Sequence, residues 1–295
     1  MIYIHFIINP ISGNGKHDLT ESFLKKHFPT DRYLIETDYT EYRGHAKELA
    51  RLAVSLKADF VVACGGDGTI NEVASCLIGT NSILGIIPVG SGNGLASNLQ
   101  IPRDIITAIS IIKNGKTSYI DAGKVNNNYF FSNTGFGIDA MIIKKYEESG
   151  KRTLPAYIRA SLSSSFDFRP VKALLTFNGQ TKTVDPFLLF ISNSNEMGYN
   201  MSLTPKASLN DGFLDLVIVP KLSFPEKLSL GYYVITNAIH KFRKAEHHRI
   251  KSITIELPDT IFTNAQIDGE SLNLKTNVLE VSVHEKSLRV LIPAN

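Results

Sequence analysis

Residues 60–78 join a strand pattern to a helix pattern through a turn rich in glycine. The apolar residues 60–63 are typical of a buried parallel strand, and residues 70–78 have helical spacing. The turn between them contains Cys-Gly-Gly-Asp-Gly-Thr at residues 64–69. Glycines let an anion approach the backbone closely, and the amides and dipole at the start of a helix favour negative charge. This segment therefore predicts a parallel α/β sheet with a phosphate-binding turn.

Asp67, in the middle of this turn, is a residue that phosphate binding alone would not require. A carboxylate beside a bound phosphate is repelled unless a cation bridges the two, so Asp67 indicates Mg²⁺ or a proton to be moved. Thr69 and Glu72 have the spacing of a capping box, which predicts a helix that begins at Thr69. A tight turn with a purely structural role is the alternative interpretation.

The whole sequence is that of a globular protein long enough for one large domain or two ordinary ones. Its 295 residues are 43% hydrophobic and 20% charged. No apolar run reaches the roughly 18 residues that a membrane-spanning helix needs, and residues 1–9 predict a first strand rather than a signal peptide. Cys64 and Cys76 lack metal-ligand spacing, so we expect reduced thiols in a cytoplasmic protein. A net charge of +3 is too small to indicate a nucleic-acid partner, although it is compatible with contact to an anionic surface.

Up to about residue 120, strand patterns alternate with helix patterns. Such alternation is typical of a parallel sheet with helices on both faces, and ligands bind these sheets at the carboxyl ends of the strands. Three turns rich in glycine or asparagine follow strand patterns, and one shared nucleotide would explain all three. The predicted strands are residues 2–8, 32–36, 60–63 and 83–87, the predicted helices are residues 19–28, 44–56 and 69–78, and the turns are residues 9–16, 64–69 and 88–94.

After residue 121, short strand patterns follow one another and many meet at turns of Asn, Gly, Asp or Pro, which predicts an antiparallel sandwich. Two helix patterns interrupt them, around residues 138–148 and 225–244. The last apolar run, residues 288–292, fits either half. The predicted strands are residues 129–133, 172–177, 187–192, 214–219, 252–257, 260–267 and 278–283.

We therefore predict an α/β plus β fold with two domains packed around a cleft. The first is a three-layer α/β nucleotide-binding domain over residues 1–122, joined by the last strand at about residues 284–295. The second is an antiparallel β-sandwich domain for the substrate, over residues 123–283. No Ser/Gly linker and no internal repeat occurs, which favours close packing of the two halves.

Six short motifs occur along the chain, at residues 9–13, 65–69, 88–93, 121–124, 210–215 and 268–270. They read Asn-Pro-Ile-Ser-Gly, Gly-Gly-Asp-Gly-Thr, Pro-Val-Gly-Ser-Gly-Asn, Asp-Ala-Gly-Lys, Asn-Asp-Gly-Phe-Leu-Asp and Asp-Gly-Glu. As an ordered set they resemble the soluble diacylglycerol kinase catalytic family, which includes bacterial lipid kinases, sphingosine kinases and ceramide kinases. The resemblance covers nearly the whole chain and implies a two-domain fold with catalysis in the cleft.

The resemblance implies an ATP- and Mg²⁺-dependent lipid kinase. It would transfer the γ-phosphate to the hydroxyl of a diacylglycerol-like or sphingoid lipid while bound transiently at the inner face of the membrane. Thr40 is preferred to Thr37 because the family's threonine stands four residues before a Gly-x-Ala triplet, here residues 44–46. The alternative role for Thr40 is that of a helix N-cap. The residues implied for the ATP site are Asn9, Pro10, Ser12, Gly13, Thr40, Gly65, Gly66, Asp67, Gly68, Thr69, Glu72, Ser91 and Asn93.

Phosphoryl transfer needs a group that accepts the proton of the attacking hydroxyl, and a carboxylate is suited to this. By resemblance Glu270 is the general base, and Asp67 and Asp268 are further catalytic residues. The alternative interpretation of residues 268–270 is a solvated hairpin loop.

The resemblance also implies two Mg²⁺ sites. Mg²⁺ usually keeps several waters and takes one or two carboxylates directly, so some acids would act through water. The polar network around the catalytic Mg²⁺ would comprise Asp67, Asn93, Asp121, Asp211 and Glu270. A second, structural Mg²⁺ would use the Asp211 side chain and the backbone carbonyls of Ser208 and Phe213.

Residues 135–140 resemble the place where sphingoid kinases hold a lipid head group with an acid, here Asp139. The alternative role of Asp139 is the N-cap of a helix that begins at Ala140. Two basic stretches could face anionic lipid head groups or only solvent, and the sequence leaves a homodimer open. These stretches are residues 240–251 and the set Lys144, Lys145, Lys151, Arg152 and Arg159.

Two other functions are compatible with part of the sequence. NAD kinases share the glycine turn, as phosphofructokinases do, but NAD kinases do not combine it with the motifs at residues 210–215 and 268–270 in this order. A catalytically silent regulator that binds nucleotide or lipid would be expected to have lost an acid. The four acids of the motifs, Asp67, Asp121, Asp211 and Glu270, are all present.

Overall fold

The computed structural model describes residues 1–15, 17–151, 153–196 and 201–294. The chain forms two compact units, one of residues Met1–Ile120 with Lys286–Asn295 and the other of residues Asp121–Glu285. Among the described residues, no helix combines the length and apolar character needed to cross a membrane.

The first unit is an α/β domain with a parallel sheet. Its strands are β1 (Ile2–Ile8), β2 (Tyr33–Tyr39), β3 (Phe60–Gly65), β4 (Ile83–Pro88), the start of β5 (Lys116–Val125) and the end of β16 (Val278–Ile292). Its helices are α1 (Glu21–His27), α2 (His45–Ser55), α3 (Asp67–Leu77), α4 (Gly94–Asn98), α5 (Ile105–Asn114) and a 3₁₀ helix at Ser12–Gly15. The strand order is β2-β1-β3-β4-β16, and Val290 of β16 pairs in parallel with Leu84 of β4.

The apolar strand runs account for the core of this unit. In β1, β3 and β4 nearly every side chain is buried, which is the pattern of strands covered on both faces. The helix α2 buries Ala46, Ala50 and Ala53, which helical spacing places on one side. The carboxyl ends of β1, β3 and β4 therefore lie side by side, and each leads directly into one of the three turns.

The start of α3 differs from the prediction. This helix begins at Asp67 with Gly66 as its N-cap, and none of the described side chains caps it. The capping box predicted for Thr69 and Glu72 is wrong, because both side chains bind groups outside the helix. Thr69 Oγ1 accepts a hydrogen bond from Asn9 Nδ2 (3.1 Å), and Glu72 Oε1 accepts one from the amide of Gly44 (2.9 Å).

The second unit is a sandwich of two sheets. Its strands are the end of β5, β6 (Asn128–Phe130), β7 (Asn133–Gly137), β8 (Ala173–Phe177), β9 (Gln180–Val184), β10 (Pro186–Ser192), β11 (Leu214–Pro220), β12 (Glu246–Ile250), β13 (Ser252–Glu256), β14 (Phe262–Ile267), β15 (Glu270–Thr276) and the start of β16. One sheet has the order β12-β11-β10-β7-β14-β15 with antiparallel neighbours. In the other, β16, β13, β8 and β9 are antiparallel neighbours. Both sheets contribute to one core, for example Phe136 and Leu216 from the first and Leu175 and Ile255 from the second.

Helices cover the opposite face of the six-stranded sheet. They are α6 (Ile138–Glu148), α7 (Leu154–Asp167), α8 (Phe224–Ile235) and a 3₁₀ helix at Ile239–Lys241. Phe190 and Val217 point to this face and pack with Ile138 and Leu230 in a second core. Period-two alternation along β10 and β11 thus serves a core on each side.

Two helices of this unit differ from the sequence prediction. The helix predicted for residues 225–244 ends at Ile235, because Asn237 has a left-handed backbone (φ +53°) that a helix cannot continue through. The helix α7 is not among the predicted helices. Its serines and Pro155 lower helix propensity, but a proline is compatible with the first turn, where its missing amide has no partner to lose.

Candidate functional site

The first loop of the α/β unit is joined to the second by side-chain and backbone hydrogen bonds. Asn9 directly follows β1, and its amide donates to the carbonyl of Cys64 (2.9 Å) while Nδ2 donates to Thr69 Oγ1 (3.1 Å). Pro10 follows, and the amide of Ser12 donates back to the Asn9 carbonyl (3.2 Å) where the 3₁₀ helix begins. The two loops are therefore held in one arrangement at the carboxyl edge of the sheet.

Glycine is required in these loops because their backbones touch. A Cβ on Gly90 would lie 2.3 Å from the Cα of Gly66, and a Cβ on Gly13 would lie 2.5 Å from the carbonyl oxygen of Val89. A Cβ on Gly65 would lie 2.5 Å from the Thr69 side chain. Backbone amides can therefore stand close together at this edge, including those of the first turn of α3, where Gly68 lies.

Asp67 binds the third loop. Its Oδ2 accepts from the amide of Asn93 (2.7 Å) and its Oδ1 accepts from the amide of Gly94 (2.7 Å), at the start of α4. Each carboxylate oxygen has a second lone pair, so these bonds are compatible with a further contact to a cation or water. Asp67 thus has a structural role, and its chemical role stays a prediction.

Asn93 closes its own loop. It is buried, and its backbone is left-handed (φ +62°). Its Nδ2 donates to the Gly90 carbonyl (2.7 Å) and its Oδ1 accepts from the Gly90 amide (3.1 Å). Ser91 lies in the same loop, and Arg103, which is not among the predicted residues, donates from Nη2 to the carbonyls of Ser91 (2.8 Å) and Gly92 (3.0 Å).

Thr40 stands at the same edge, immediately after β2. Its amide donates to the carbonyl of Ile8 (2.8 Å), the residue before Asn9. The N-cap of α2 is Gly44, so the alternative role of Thr40 as a helix N-cap is wrong. Glu72 holds Gly44 in place, which links the second loop to the segment after β2.

In the sandwich unit, Asp268 holds the turn between β14 and β15. Asp268 and Gly269 both have positive φ (+47° and +80°), as a tight two-residue hairpin requires. The Asp268 carboxylate accepts from three backbone amides, those of Phe131 (2.9 Å), Ser132 (2.8 Å) and Asn133 (3.0 Å). It is 7% exposed, so the alternative of a solvated hairpin loop is wrong. These bonds make Asp268 a positioning residue for the turn, and its catalytic role stays a prediction.

Glu270 is the first residue of β15 and is half-buried. Its position is defined on both sides, because Asp268 anchors the turn before it and Glu147 of α6 accepts from the amide of Ser271 after it (2.9 Å). Glu147 is not among the predicted residues. A side chain at the end of a fixed turn is well placed to face a reacting group.

Asp139 lies in the first turn of α6, after the N-cap Gly137, so its alternative role as an N-cap is wrong. Its side chain is 3% exposed, and burial raises the pKa of its carboxyl to about 6 while a hydrogen bond with Gln266 opposes the shift. In the described part of the chain, Asp139 Oδ2 has no hydrogen-bond partner. A Cβ on Gly135 would lie 1.8 Å from this oxygen, so only glycine leaves space for it.

Gln266 connects Asp139 to the turn that carries Glu270. Its Oε1 accepts from the amide of Gly269 (2.9 Å), and its Nε2 donates to Asn133 Oδ1 (2.7 Å). The sequence signal that could have identified Gln266 is a glutamine within the strand pattern that leads into the Asp-Gly-Glu turn. The structure shows that this glutamine is buried and hydrogen-bonded.

A cavity of about 280 Å³ lies beside the chain neighbours of Asp139. Phe136, Gly137 and Ala140, the neighbours of Asp139 in the chain, line it together with apolar residues of the sandwich such as Leu189 and Leu257. Lys144 and Arg169 are the basic residues in its wall among those described. The wall of this cavity is thus mostly apolar.

The residues implied for the structural Mg²⁺ come together in part. Asp121 is fully buried and its Oδ2 accepts from the amide of Gly212 (2.8 Å), which places it beside the loop that contains Ser208, Asp211 and Phe213. Asp211 accepts from the Phe213 amide (3.1 Å) and from Arg249 Nη2 (2.6 Å). Burial and then the neighbouring Asp211 raise the pKa of Asp215.

This donor set fits Mg²⁺ in its chemistry, because Mg²⁺ binds hard oxygen ligands and takes one or two carboxylates. A cation would also relieve the repulsion between Asp211 and Asp215. Arg249 already pairs with Asp211, so binding would compete with this ion pair. Within the described ranges, no three His, Cys, Asp or Glu side chains are arranged to hold a metal ion.

Several residues of the two basic stretches have acidic partners. Lys145 pairs with Asp167 (2.5 Å), Lys244 with Glu226 (2.6 Å) and Lys251 with Glu285 (2.6 Å). Arg152 lies outside the described residues. Arg159 is exposed on α7. Contact of these stretches with lipid head groups stays a prediction.

Two family models match the chain. The diacylglycerol kinase catalytic domain matches residues 3–125, and the YegS C-terminal NAD kinase beta sandwich-like domain matches residues 132–292. The chain belongs to the diacylglycerol kinase catalytic-domain family of lipid kinases. It is a phosphotransferase, and its family implies ATP as the phosphate donor. The two-domain fold and the family expected from the sequence are confirmed.

Curated relatives and solved structures agree with this family. The diacylglycerol kinase of Bacillus subtilis is 29% identical over 95% of this chain and 96% of its own length. The diacylglycerol kinase of Staphylococcus aureus is 30% identical over 94% of this chain and 89% of its own length. A crystal structure of a diacylglycerol kinase from Bacillus anthracis has a TM-score of 0.72 at 20% identity, covering 98% of this chain and 96% of that chain. This last likeness shows a shared fold.

Proposed function

We propose that this kinase transfers the γ-phosphate of ATP to the hydroxyl group of an amphiphilic, diacylglycerol-like lipid. The observation that carries the proposal is an apolar cavity lined by Phe136, Gly137 and Ala140, in the same segment as Asp139. The buried Asp139 carboxyl is connected through Gln266 to the turn that follows β14 and leads to the proposed base. An apolar cavity with Lys144 and Arg169 in its wall suits a ligand with a hydrocarbon chain and a polar head. Relatives named diacylglycerol kinase support a glycerolipid as the acceptor.

In this reaction Glu270 is the general base. It accepts the proton of the lipid hydroxyl as the hydroxyl oxygen attacks the γ-phosphorus, and the bond from that phosphorus to the oxygen of ADP breaks. Asp268 keeps the Glu270 turn in position, and Asp139 accepts a hydrogen bond from the lipid head. Phosphorylated lipid and ADP are the products.

The donor nucleotide would bind at the three loops of the α/β unit. Their closely packed glycines expose backbone amides, which stabilise the negative charge of phosphate groups. Asn9, Thr69 and Glu72 hold the first and second loops and the segment after β2 in one arrangement. The cleft implied by the resemblance, where donor and acceptor would meet, stays a prediction.

Mg²⁺, when bound, would neutralise charge on the phosphates. Asp67 is the proposed residue for it in the α/β unit, since its carboxylate stands between the second and third loops. In the sandwich unit, Asp121, Asp211 and the carbonyls of Ser208 and Phe213 are proposed for the structural ion.

A transfer assay with γ-labelled ATP and Mg²⁺ tests the proposal. It presents diacylglycerol, monoacylglycerol, a sphingoid base, ceramide and a polyprenol in mixed micelles, with NAD as a water-soluble control. We expect labelled diacylglycerol product. A labelled sphingoid base would instead assign the other lipid class, and labelled NAD would contradict a lipid acceptor. Nucleotide binding without any labelled product would indicate a protein that has lost catalysis.

A further inference from the structure

Two helices of the sandwich unit each expose a row of large apolar side chains. The row on α7 is 37–59% exposed and the row on α8 is 54–65% exposed. Steps of three or four residues place each row along one side of its helix. The members are Leu154, Ile158, Leu162 and Phe166 on α7, and Phe224, Leu228, Tyr232 and Ile235 on α8. We name these eight residues the α7–α8 surface.

The two rows lie next to each other. The rings of Phe166 and Phe224 are 5.7 Å apart between centroids, so the end of one row meets the start of the other. Lys227 of α8 donates from Nζ to the carbonyl of Ser165 on α7 (2.5 Å), which holds the helices side by side. The rows therefore form one continuous apolar surface.

Packing of the two helices uses their other sides. Ala160 and Ser164 are the buried residues of α7, and Leu230 is the buried residue of α8 among those described. Lys145 of α6 donates to Ser163 (2.8 Å) and pairs with Asp167, which ties α7 to α6. The exposed rows thus do not take part in packing these helices against the rest of the unit. A large exposed apolar surface usually marks an interaction site.

The two sequence segments that contain this surface both have more Lys and Arg than Asp and Glu. Residues 151–172 contain five Lys or Arg and one Asp, and residues 221–244 contain five Lys or Arg and one Glu. These two segments together have ten basic and two acidic residues, a net charge of +8. The rest of the chain has the remaining 21 basic and 26 acidic residues, a net charge of −5, which gives the total of +3. An apolar surface within a basic region is complementary to an anionic bilayer.

The segment after α7 leads to the acceptor cavity. Phe168, Arg169 and Val171 follow α7 directly and line this cavity, and Val171 is 45% exposed. A bilayer in contact with the α7–α8 surface would therefore lie beside this cavity.

We propose that the α7–α8 surface inserts into the head-group region of an anionic lipid bilayer. Insertion would place the cavity next to the lipids of that bilayer. The inference deepens the proposed function, on which it rests for the nature of the acceptor. The apolar side chains of the two rows would be removed from water in the bilayer, which favours binding. The basic segments would be attracted to anionic head groups. The occupant of the surface is the bilayer itself.

Sedimentation with vesicles tests the surface. The double variant L162Q/L228Q removes two exposed leucines from it, and L52Q/L56Q removes two leucines of similar exposure from the α/β unit as the matched control. Partitioning onto phosphatidylglycerol–phosphatidylcholine vesicles should fall roughly tenfold or more for the first variant and stay unchanged for the control. Arg159→Gln should lower it about fivefold, with an effect that disappears on pure phosphatidylcholine.

A fluorescence measurement reports insertion directly, because the chain contains no tryptophan. Tyr232→Trp places a sole indole on α8, and Tyr119→Trp places one at a position of similar exposure in the α/β unit. We expect a blue shift and quenching by brominated acyl chains for the first variant with anionic vesicles. Equal responses from both variants would overturn the proposal.

Other outcomes separate this inference from the proposed function. If the wild type does not bind vesicles but phosphorylates a dispersed short-chain diacylglycerol, the membrane role of the α7–α8 surface is wrong and the proposed function is supported. If vesicles are bound through the α7–α8 surface but no lipid product forms, the membrane role of this surface is supported and the proposed function is contradicted. If L162Q/L228Q converts a dimer to a monomer in sedimentation velocity and leaves vesicle binding unchanged, the surface joins two copies of the chain instead.

Discussion

Acidic side chains in this kinase have two distinct kinds of environment. Asp67 and Asp268 accept hydrogen bonds from backbone amides, two in the first case and three in the second. These bonds hold loops together. Asp139 is instead buried, with one oxygen that accepts no hydrogen bond from the described residues. The first kind positions the site and the second is available to a ligand.

Glu270→Gln should lower kcat by roughly 10²–10⁴ because it removes the proposed base while keeping the shape and hydrogen bonding of the side chain. ATP binding, measured by calorimetry, should change little. Glu148→Gln makes the same chemical change at an exposed position of α6 and serves as the control. Near-native turnover in the Glu270 variant would refute the assignment of the base.

Asp139→Asn should change how stability depends on pH. The pKa of Asp139 is raised from 3.8 to about 6 in the folded state, so the folded protein prefers the protonated form. Its contribution to stability is present below pH 4 and is lost as the pH rises through 6. The variant should therefore be more stable than the wild type at pH 7 by roughly 3 kcal/mol, with no difference of this origin below pH 4.

Urea unfolding of both proteins between pH 4 and pH 8 measures this difference. A constant difference across that range would contradict the raised pKa. Under the proposed function, lipid phosphorylation by the wild type should also decline below about pH 6, since a protonated Asp139 loses its charge. Initial rates at saturating ATP provide the check.

At the scale of the elements, the junction of β7 with α6 positions Asp139, the residue proposed to bind the lipid head. The strand ends in Gly135-Phe136-Gly137, and the helix starts at Ile138, so Asp139 turns back towards the backbone of Gly135. This close approach explains why glycine stands at position 135. Gln266 connects this junction to the turn between β14 and β15, because it bonds to Asp139 and accepts from the amide of Gly269.

Gly135→Ala tests this junction. The added Cβ would lie 1.8 Å from Asp139 Oδ2, so the carboxylate must move. We expect kcat/KM for the lipid to fall on the order of 10²-fold with the KM for ATP unchanged. In Gly231→Ala, on α8, none of the described atoms lies within 4 Å of the new Cβ, and the helix should gain about 0.5–1 kcal/mol in unfolding measurements. Equal lipid kinetics in the Gly135 variant and the wild type would contradict the role of the junction.

At the scale of the whole molecule, the last strand returns the chain to the first unit. Leu288, Val290 and Leu291 of β16 are buried. Val290 pairs with Leu84 of β4, the strand that leads into the third loop. The α/β unit, Met1–Ile120, is therefore completed by a distant segment of the chain, Lys286–Asn295. Its stability should depend on both ends of the chain.

Val290→Ala should lower the free energy of unfolding by about 2 kcal/mol, because it leaves a cavity in a fully buried position. Val171→Ala makes the same change at a residue that is 45% exposed and should have an effect within about 0.5 kcal/mol. Urea titration followed by fluorescence of a bound nucleotide analogue monitors the α/β unit in particular. Equal midpoints for the two variants would contradict the role of β16.

The sequence by itself determined the family, the two-domain architecture and the kinds of loops that carry the site. These follow from local patterns: alternating strands and helices, glycine turns after buried strands, and motifs in a particular order. Its errors were also local in origin, such as the capping box at Thr69 and Glu72. That spacing is correct, but both side chains bind partners elsewhere in the chain.

Only the tertiary structure decided which group each side chain binds. Asp67 bonds to amides 26 and 27 positions away, and Asp268 bonds to amides 135 to 137 positions away. The burial that raises the pKa of Asp139 and the exposure of the α7–α8 surface also depend on packing between distant segments. Local sequence specifies backbone conformation, whereas burial and hydrogen-bond partners arise from contacts between segments, and no short motif encodes them.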